Sequence, residues 1–247
     1  MQNLKKLTAS KNSQSHIEVI ISFIIFIGFI GMIFYFFSPI KQKNVSSASF
    51  DRVQEKILEN VSINYNYISL ILNSNPASLA CFSVNNNPGI TGNFIAKDFS
   101  GKIANAEKTG AGASSILKIV HSGSTFYRLY ISDKFKSYPV PSAASCSELP
   151  NANYSFGAMA SESIILYGNL AELENLYTAD YSGLKNSLGL DSDFEFVVYD
   201  LNRSVLMNES LAKHKIKSSS VLAREILLKT INKDANQTNI ILNLRVW

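Results

Sequence analysis

With 247 residues, a formal net charge of +4 and only 17% charged side chains, the chain has room for one apolar anchor and roughly 200 further residues. Lys5, Lys6 and Lys11 come before the apolar stretch, and acids and bases nearly balance in the remainder. That balance excludes the basic face or stripe on which nucleic-acid binding rests, so no nucleic-acid partner is expected.

The first element is "QSHIEVIISFIIFIGFIGMIFYFF", Gln14 to Phe37. From Val19 to Phe37 it carries no charged side chain, and at 1.5 Å per residue that length covers about 28 Å, close to a hydrocarbon core of ~30 Å. The pattern predicts a single transmembrane helix over 19–37 with membrane lipid as its partner. Gly28 and Gly31 are tolerated in lipid, and Ser38-Pro39 stops the helix because proline lacks a backbone donor. A secretory signal has a shorter apolar core followed closely by small residues, whereas here Ser46-Ser47-Ala48 lies well past the run. Lys5, Lys6 and Lys11 on one side outnumber Lys41 and Lys43 on the other, which orients the N-terminus to the cytoplasm and the remaining chain to the outside.

One carboxylate, Glu18, stands just inside the edge of this run, in "KNSQSHIEVIISF". Lys11, Ser13, Gln14 and Glu18 together resemble the archaeal class III signal peptide of type IV pilin-like proteins. The resemblance implies a prepilin-type peptidase cutting between Ser13 and Gln14 and leaving Glu18 fifth in the mature chain. The family usually has Gly or Ala where Ser13 stands, and Lys-Gly where this chain has Asn12-Ser13. It also implies that Glu18 meets the freed amine of a neighbouring subunit while apolar helices pack into a filament. A second explanation stays open, since a carboxylate in the first turn of a helix is favoured by the helix dipole by ~0.3–1 kcal/mol.

After the anchor, Phe50, Val53, Ile57 and Val61 recur at helical spacing among charged residues and predict a juxtamembrane amphipathic helix within 38–60. "VSINYNYISLIL" alternates and predicts a strand from Val61, with "LACFSV" as a second strand returning beside it. "SSILKIVHSGSTFYRLYIS" divides at Ser122-Gly123 into two β-prone runs and predicts a hairpin. The proline-rich stretch from Tyr138 to Asn153 reads as an irregular connection, with a sub-boundary near 140–160. Leu166, Leu170, Leu173, Leu176, Leu184 and Leu188 then predict a helix over 164–188 ending at Gly189. "DFEFVVYD" reads as a strand, and "SVLAREILLKTI" and "NIILNLRVW" as a closing hairpin whose apolar face the 164–188 helix would cover. This closing segment also resembles that of uncharacterised archaeal membrane proteins with pilin-like N-termini.

Catalytic chemistry has little to stand on. His16, His121 and His214 lie in unrelated contexts without ligands at metal spacing. Gly110-Ala111-Gly112 lacks the rest of a phosphate-binding loop, and Asp191 and Asp193 suit a turn better than a metal. No catalytic residue, metal or cofactor is expected. Cys81 and Cys146 have two readings: a disulfide if the domain is exported, two buried thiols if it is not; export favours the disulfide. Six Asn-x-Ser/Thr sequons, Asn44, Asn60, Asn153, Asn202, Asn208 and Asn236, are compatible with surface glycosylation.

The expected architecture is thus α+β: a leader and processing region at 1–18, a transmembrane helix at 19–37, the amphipathic helix at 38–60, and a strand-rich extracytoplasmic domain at 61–247 with an antiparallel sheet and a covering helix. The expected function is that of a membrane-anchored, single-pass, pilin-like structural or adhesion protein of the cell surface, self-assembling or joining related subunits through its apolar helix. A monomeric anchored binding protein and, more remotely, an anchored hydrolase are the alternatives.

Overall fold

The structure is a computed structural model that describes residues 6–37, 47–73, 79–86, 88–110, 115–142, 144–207 and 220–247; within the first helix, side chains are described for 18–33. The chain divides into two units, Met1–Asn44 and Val45–Trp247. The first contains helix α1 (Lys6–Phe37). Its apolar side chains from Val19 to Ile33 are exposed on every face, with Val19, Phe23, Ile25 and Phe29 all above 60%.

The second unit begins with α2 (Ser47–Val61) and continues through β1 (Ser62–Leu72), β2 (Cys81–Asn85), β3 (Phe94–Asp98), β4 (Ile103–Ala104), β5 (Ala106–Thr109), β6 (Ile116–Val120) and β7 (Phe126–Ile131). After β8 (Ser147–Glu148), β9 (Tyr154–Phe156) and β10 (Ala160–Leu166) come α3 (Tyr167–Ala179) and α4 (Tyr181–Ser187). Strands β11 (Phe194–Tyr199), β12 (Val205–Met207), β13 (Leu222–Ile231) and β14 (Gln237–Val246) complete it. The large sheet runs in the order β12-β11-β14-β13-β10-β1-β7-β3-β4, with β9 also paired to β1; a small sheet runs β5-β6-β2-β8.

Alternation along the strands decides what covers the large sheet. In β14, Ile240, Leu242, Leu244 and Val246 point to one face, opposite Phe194, Phe196 and Val198 of β11, and there meet α2, α3 and α4. Helix α2 supplies Phe50, Val53, Ile57 and Val61 to this core, each fully buried side chain contributing ~1.5–3 kcal/mol. Arg224 of β13 fastens the same helix from outside, 3.0 Å from Asp51 and 4.5 Å above the Phe50 ring. At the far end of the large sheet the corresponding face carries Ile68, Leu70, Tyr127 and Leu129. It packs against Phe82, Val84, Leu117 and Ile119 of the small sheet. One face is therefore covered by helices at one end and by a second sheet at the other.

The helix ends are set locally. Asp180 caps α4, its carboxylate accepting from the Gly183 N–H at 2.9 Å. Gly189, with φ of 64°, takes the left-handed conformation that terminates it, and the Leu190 N–H returns to the Lys185 carbonyl.

Several expectations are corrected here. Among the described residues no helix is long and apolar enough to cross a membrane, so the fold class with a transmembrane helix at 19–37 does not stand. The large sheet is mixed rather than antiparallel, because β10 and β13 run parallel through Ile165↔Thr230 and Leu166↔Ile231. The single helix over 164–188 is instead the end of strand β10 followed by two helices, broken at Asp180, and α2 shares their role as cover. Strand β2 does not return beside β1, and β6 and β7 do not form a hairpin; β2 pairs β6 in the small sheet, while β7 lies between β1 and β3 in the large one. The break at Ser38-Pro39 and the charges at Lys41 and Lys43 lie outside the described residues.

Candidate functional site

The residues of the processing motif sit within α1. Ser13 and Gln14 belong to its helical backbone, their side chains lying outside the described set, and Glu18 is exposed at the start of the apolar stretch. Cys81 and Cys146 form a disulfide, with Cα atoms 4.4 Å apart. The bond sits where β8 joins the edge of the small sheet in parallel with β2, through Phe82↔Ser147 and Ser83↔Glu148.

Of the histidines, His16 and His214 have no described side chain. His121 is half-buried, and its Nδ1 lies 3.0 Å from the Tyr127 hydroxyl, which also accepts from the Ser122 N–H. Burial holds the imidazole below its ordinary pKa. Asp193 is engaged by Lys185 at 2.7 Å and by the Tyr181 hydroxyl at 3.2 Å, and its backbone pairs with Trp247, so Asp193 serves the junction into β11. Among the described residues no three His, Cys, Asp or Glu side chains gather in a way that could hold a metal ion.

The most unusual surface lies on the face of β1, β7 and β3 that points away from the small sheet. In β7, Tyr127, Leu129 and Ile131 enter the core, so Phe126, Arg128 and Tyr130 must point the other way. Register then builds two rows across the strands: Tyr67 beside Tyr130 beside Ile95, and Ser69 beside Arg128 beside Lys97. The tyrosines form a continuous aromatic bed. Tyr65 lies 5.9 Å from Tyr67 and 6.2 Å from Tyr130, and meets Phe135 edge-on at 6.0 Å.

The two cations rest on that bed, Arg128 over the Tyr67 ring at 5.7 Å and Lys97 over the Tyr130 ring at 5.6 Å. Lys97 is held by neutral oxygens, the Ala235 carbonyl at 2.6 Å and the Asn236 Oδ1 at 2.7 Å. Burial lowers its pKa, partly offset by attraction to Asp234. Neither Lys97 nor Arg128 makes an ion pair among the described residues. Register places Lys97 directly across from Arg128, with the Lys97 ammonium drawn to the β13–β14 turn and the Arg128 guanidinium left exposed.

Beside the cations a groove of about 500 Å³ opens, lined by Lys97, Arg128, Tyr130, Phe126 and Phe99. Phe99 stands at the tip of the β3–β4 turn, 84% exposed, and meets Phe126 edge-on at 6.5 Å. The turn is rigid: the Asp98 Oδ1, which also borders the groove, accepts from the Ser100 N–H, the Ser100 hydroxyl and the Lys102 N–H. That carboxylate is thereby engaged within its own loop. On the other side of the tyrosine bed, the Tyr65 hydroxyl donates to Glu162 at 2.6 Å and accepts from Gln237 at 3.1 Å. Burial, reinforced by that carboxylate, pushes the Tyr65 phenol well above its ordinary pKa, and the same hydrogen bond holds Glu162 below its own.

Nothing in the linear sequence singled out this groove. Local pattern does not mark β3 and gives β7 the neighbour β6, so it leaves the pairing of Lys97 with Arg128 hidden. The available signal was "FYRLYI", in which alternation alone places Phe126, Arg128 and Tyr130 on one face. No protein-family model matches the chain, and comparison with curated proteins and with solved structures gives no match.

Proposed function

We propose that the chain is a pilin-like structural or adhesion protein of the cell surface that assembles through α1 and presents its β-rich second unit outside the cell. The observation that carries this reading is the exposure of the apolar side chains of α1 between Val19 and Ile33. Each large apolar side chain withdrawn from water is worth ~1.5–3 kcal/mol, so a helix apolar all round has a strong drive toward other apolar helices or lipid. Glu18 at the head of that stretch supplies the single charge that can fix register between packed copies. The resemblance of Lys11, Ser13, Gln14 and Glu18 to a class III signal peptide gives the assembly its route, with a prepilin-type peptidase freeing Gln14. The disulfide between Cys81 and Cys146 suits an exported domain.

N-terminal sequencing of the membrane fraction, together with sedimentation of sheared cell-surface material, tests the reading. The expected result is a mature chain beginning at Gln14 and recovered in pelletable filaments. A chain that retains residues 1–13 and stays out of filaments at every expression level would overturn it, and would favour the anchored monomeric binding protein instead.

A further inference from the structure

We propose that the groove beside Lys97 and Arg128 is a binding site for an acidic polysaccharide, with a carboxylate or sulfate held at the exposed Arg128, the buried Lys97 charge behind it, and a sugar ring laid on Phe99 and Phe126. The inference goes beyond the assembly reading and stands on the second unit alone, whether or not α1 packs into filaments.

Four observations converge on it. The first is the cross-strand placement of Lys97 opposite Arg128, two like charges with no ion-pair partner among the described residues. Arg128 is exposed, so its guanidinium is open to an anion from solution. The second is that the pair is held in place before any ligand arrives. Lys97 is fixed by the Ala235 and Asn236 oxygens, and the Arg128 guanidinium lies 5.7 Å from the centre of the Tyr67 ring. A guanidinium so placed can take a carboxylate or sulfate through two parallel N–H donors.

The third observation is Phe99, 84% exposed at the end of a turn whose backbone is locked by Asp98. A large aromatic presented to water on a rigid turn, beside a second ring at Phe126, offers an apolar platform next to the cations. A ligand suited to both must carry an anion and an apolar face within one ring, which describes a uronic or sulfated sugar. The fourth is the charge count. Two cations on a chain with net charge of only +4 do not form the extended basic track that a nucleic-acid backbone needs. The groove volume of about 500 Å³ accommodates a few sugar rings of such a chain.

The test uses the full chain in detergent micelles and isothermal titration calorimetry at low and at moderate salt. The probes are a trimer of galacturonic acid, a neutral glucose trimer of the same length, inorganic sulfate, and a short single-stranded oligonucleotide. The expected result is binding of the acidic trimer with a Kd of about a millimolar or tighter, and at least tenfold weaker binding of the neutral trimer. Arg128→Gln is expected to weaken the acidic trimer about tenfold or more, and Phe99→Ser severalfold, both side chains being exposed so that the fold is retained. Unchanged thermal unfolding of the two variants checks that retention. The proposal is overturned if the wild type fails to bind the acidic trimer, or if Arg128→Gln binds it as the wild type does. It is equally overturned if sulfate alone matches the trimer, which would make the groove a simple anion site, or if the oligonucleotide binds more tightly than the trimer.

Discussion

Breaking the Cys81–Cys146 bond should lower the stability of the second unit by an amount fixed mainly by the loop it closes. The two cysteines are 65 residues apart, and the enclosed segment holds β3, β4 and β7 of the large sheet as well as β5 and β6 of the small one. Without the cross-link the unfolded chain regains the freedom of that loop, which on the chain-entropy account is worth about 4 kcal/mol at 25 °C. Cys81 is buried, so alanine there also removes packing and adds to this loss, and comparison with the reduced wild type separates the cross-link from the packing. With a urea m-value of roughly 2–3 kcal/mol/M, the midpoint for Cys81→Ala/Cys146→Ala should fall by about 1.5–2 M. The wild type with and without reductant supplies the control, read by tyrosine fluorescence and far-ultraviolet circular dichroism. Hydrogen exchange should show the largest local loss at β8, which is two residues long and rests on the edge of β2 beside the bond. Midpoints agreeing to within about 0.3 M with and without the bond would refute the reasoning, since the constraint on the unfolded chain would then contribute almost nothing.

Other perturbations test individual contacts. Asn86 is completely buried; its side chain donates to the Ile90 carbonyl and Ser115 Oγ and accepts from the Ile90 N–H, so Asn86→Ala should destabilise by about 2–3 kcal/mol in urea titration. Gly92 has φ of 80° and its missing Cβ would displace only the end of the exposed Asp133 side chain, while Gly123 has φ of 83° and open space around it; each change to alanine should therefore cost the ~1 kcal/mol of left-handed strain, read in urea titration. Removing the hydroxyl in Tyr65→Phe should let the Glu162 carboxyl titrate closer to its ordinary value, followed by NMR. Because the folded pKa of Glu162 is depressed, its contribution is present above the unfolded carboxyl pKa of ~4.3 and lost as pH falls through the folded value, so the variant should show a shallower loss of stability on the acid side.

The elements legible in the sequence are those whose covering partner is set by their own periodicity. Helix α2 is legible because Phe50, Val53, Ile57 and Val61 keep a single stripe through about three turns, and all four are buried. The β13–β14 hairpin was visible because ten residues on each side alternate about a turn at Asn232–Asn236, and its register runs unbroken from Leu222↔Val246 to Ile231↔Gln237. The leucine spacing starts the helix after β10 at 164, three residues inside the strand. Ser163, Ile164 and Ile165 have the composition of either element, and only their pairing with β1 decides for strand.

The failed hairpin at Ser122-Gly123 shows what alternation leaves open. In β6, Leu117 and Ile119 are buried, and in β7, Tyr127 and Leu129; both pairs enter the same core, which is what two strands of one hairpin would also do. A period of two reports that one face of a strand is covered, and the cover can be a facing sheet as readily as a helix. Here the chain leaves the small sheet at Val120, turns through Gly123 at positive φ, and enters the large sheet at Phe126, with the Tyr127 hydroxyl tied back to His121 and Ser122 to hold the corner. That crossing is also what creates the groove. Had β7 folded back on β6, Arg128 would have had a small-sheet neighbour; placed between β1 and β3, it faces Lys97 and stands over Tyr67. The candidate site thus follows from long-range strand order, the part of the fold that local pattern does not encode, which is why its residues are individually ordinary in the sequence and unusual only once paired.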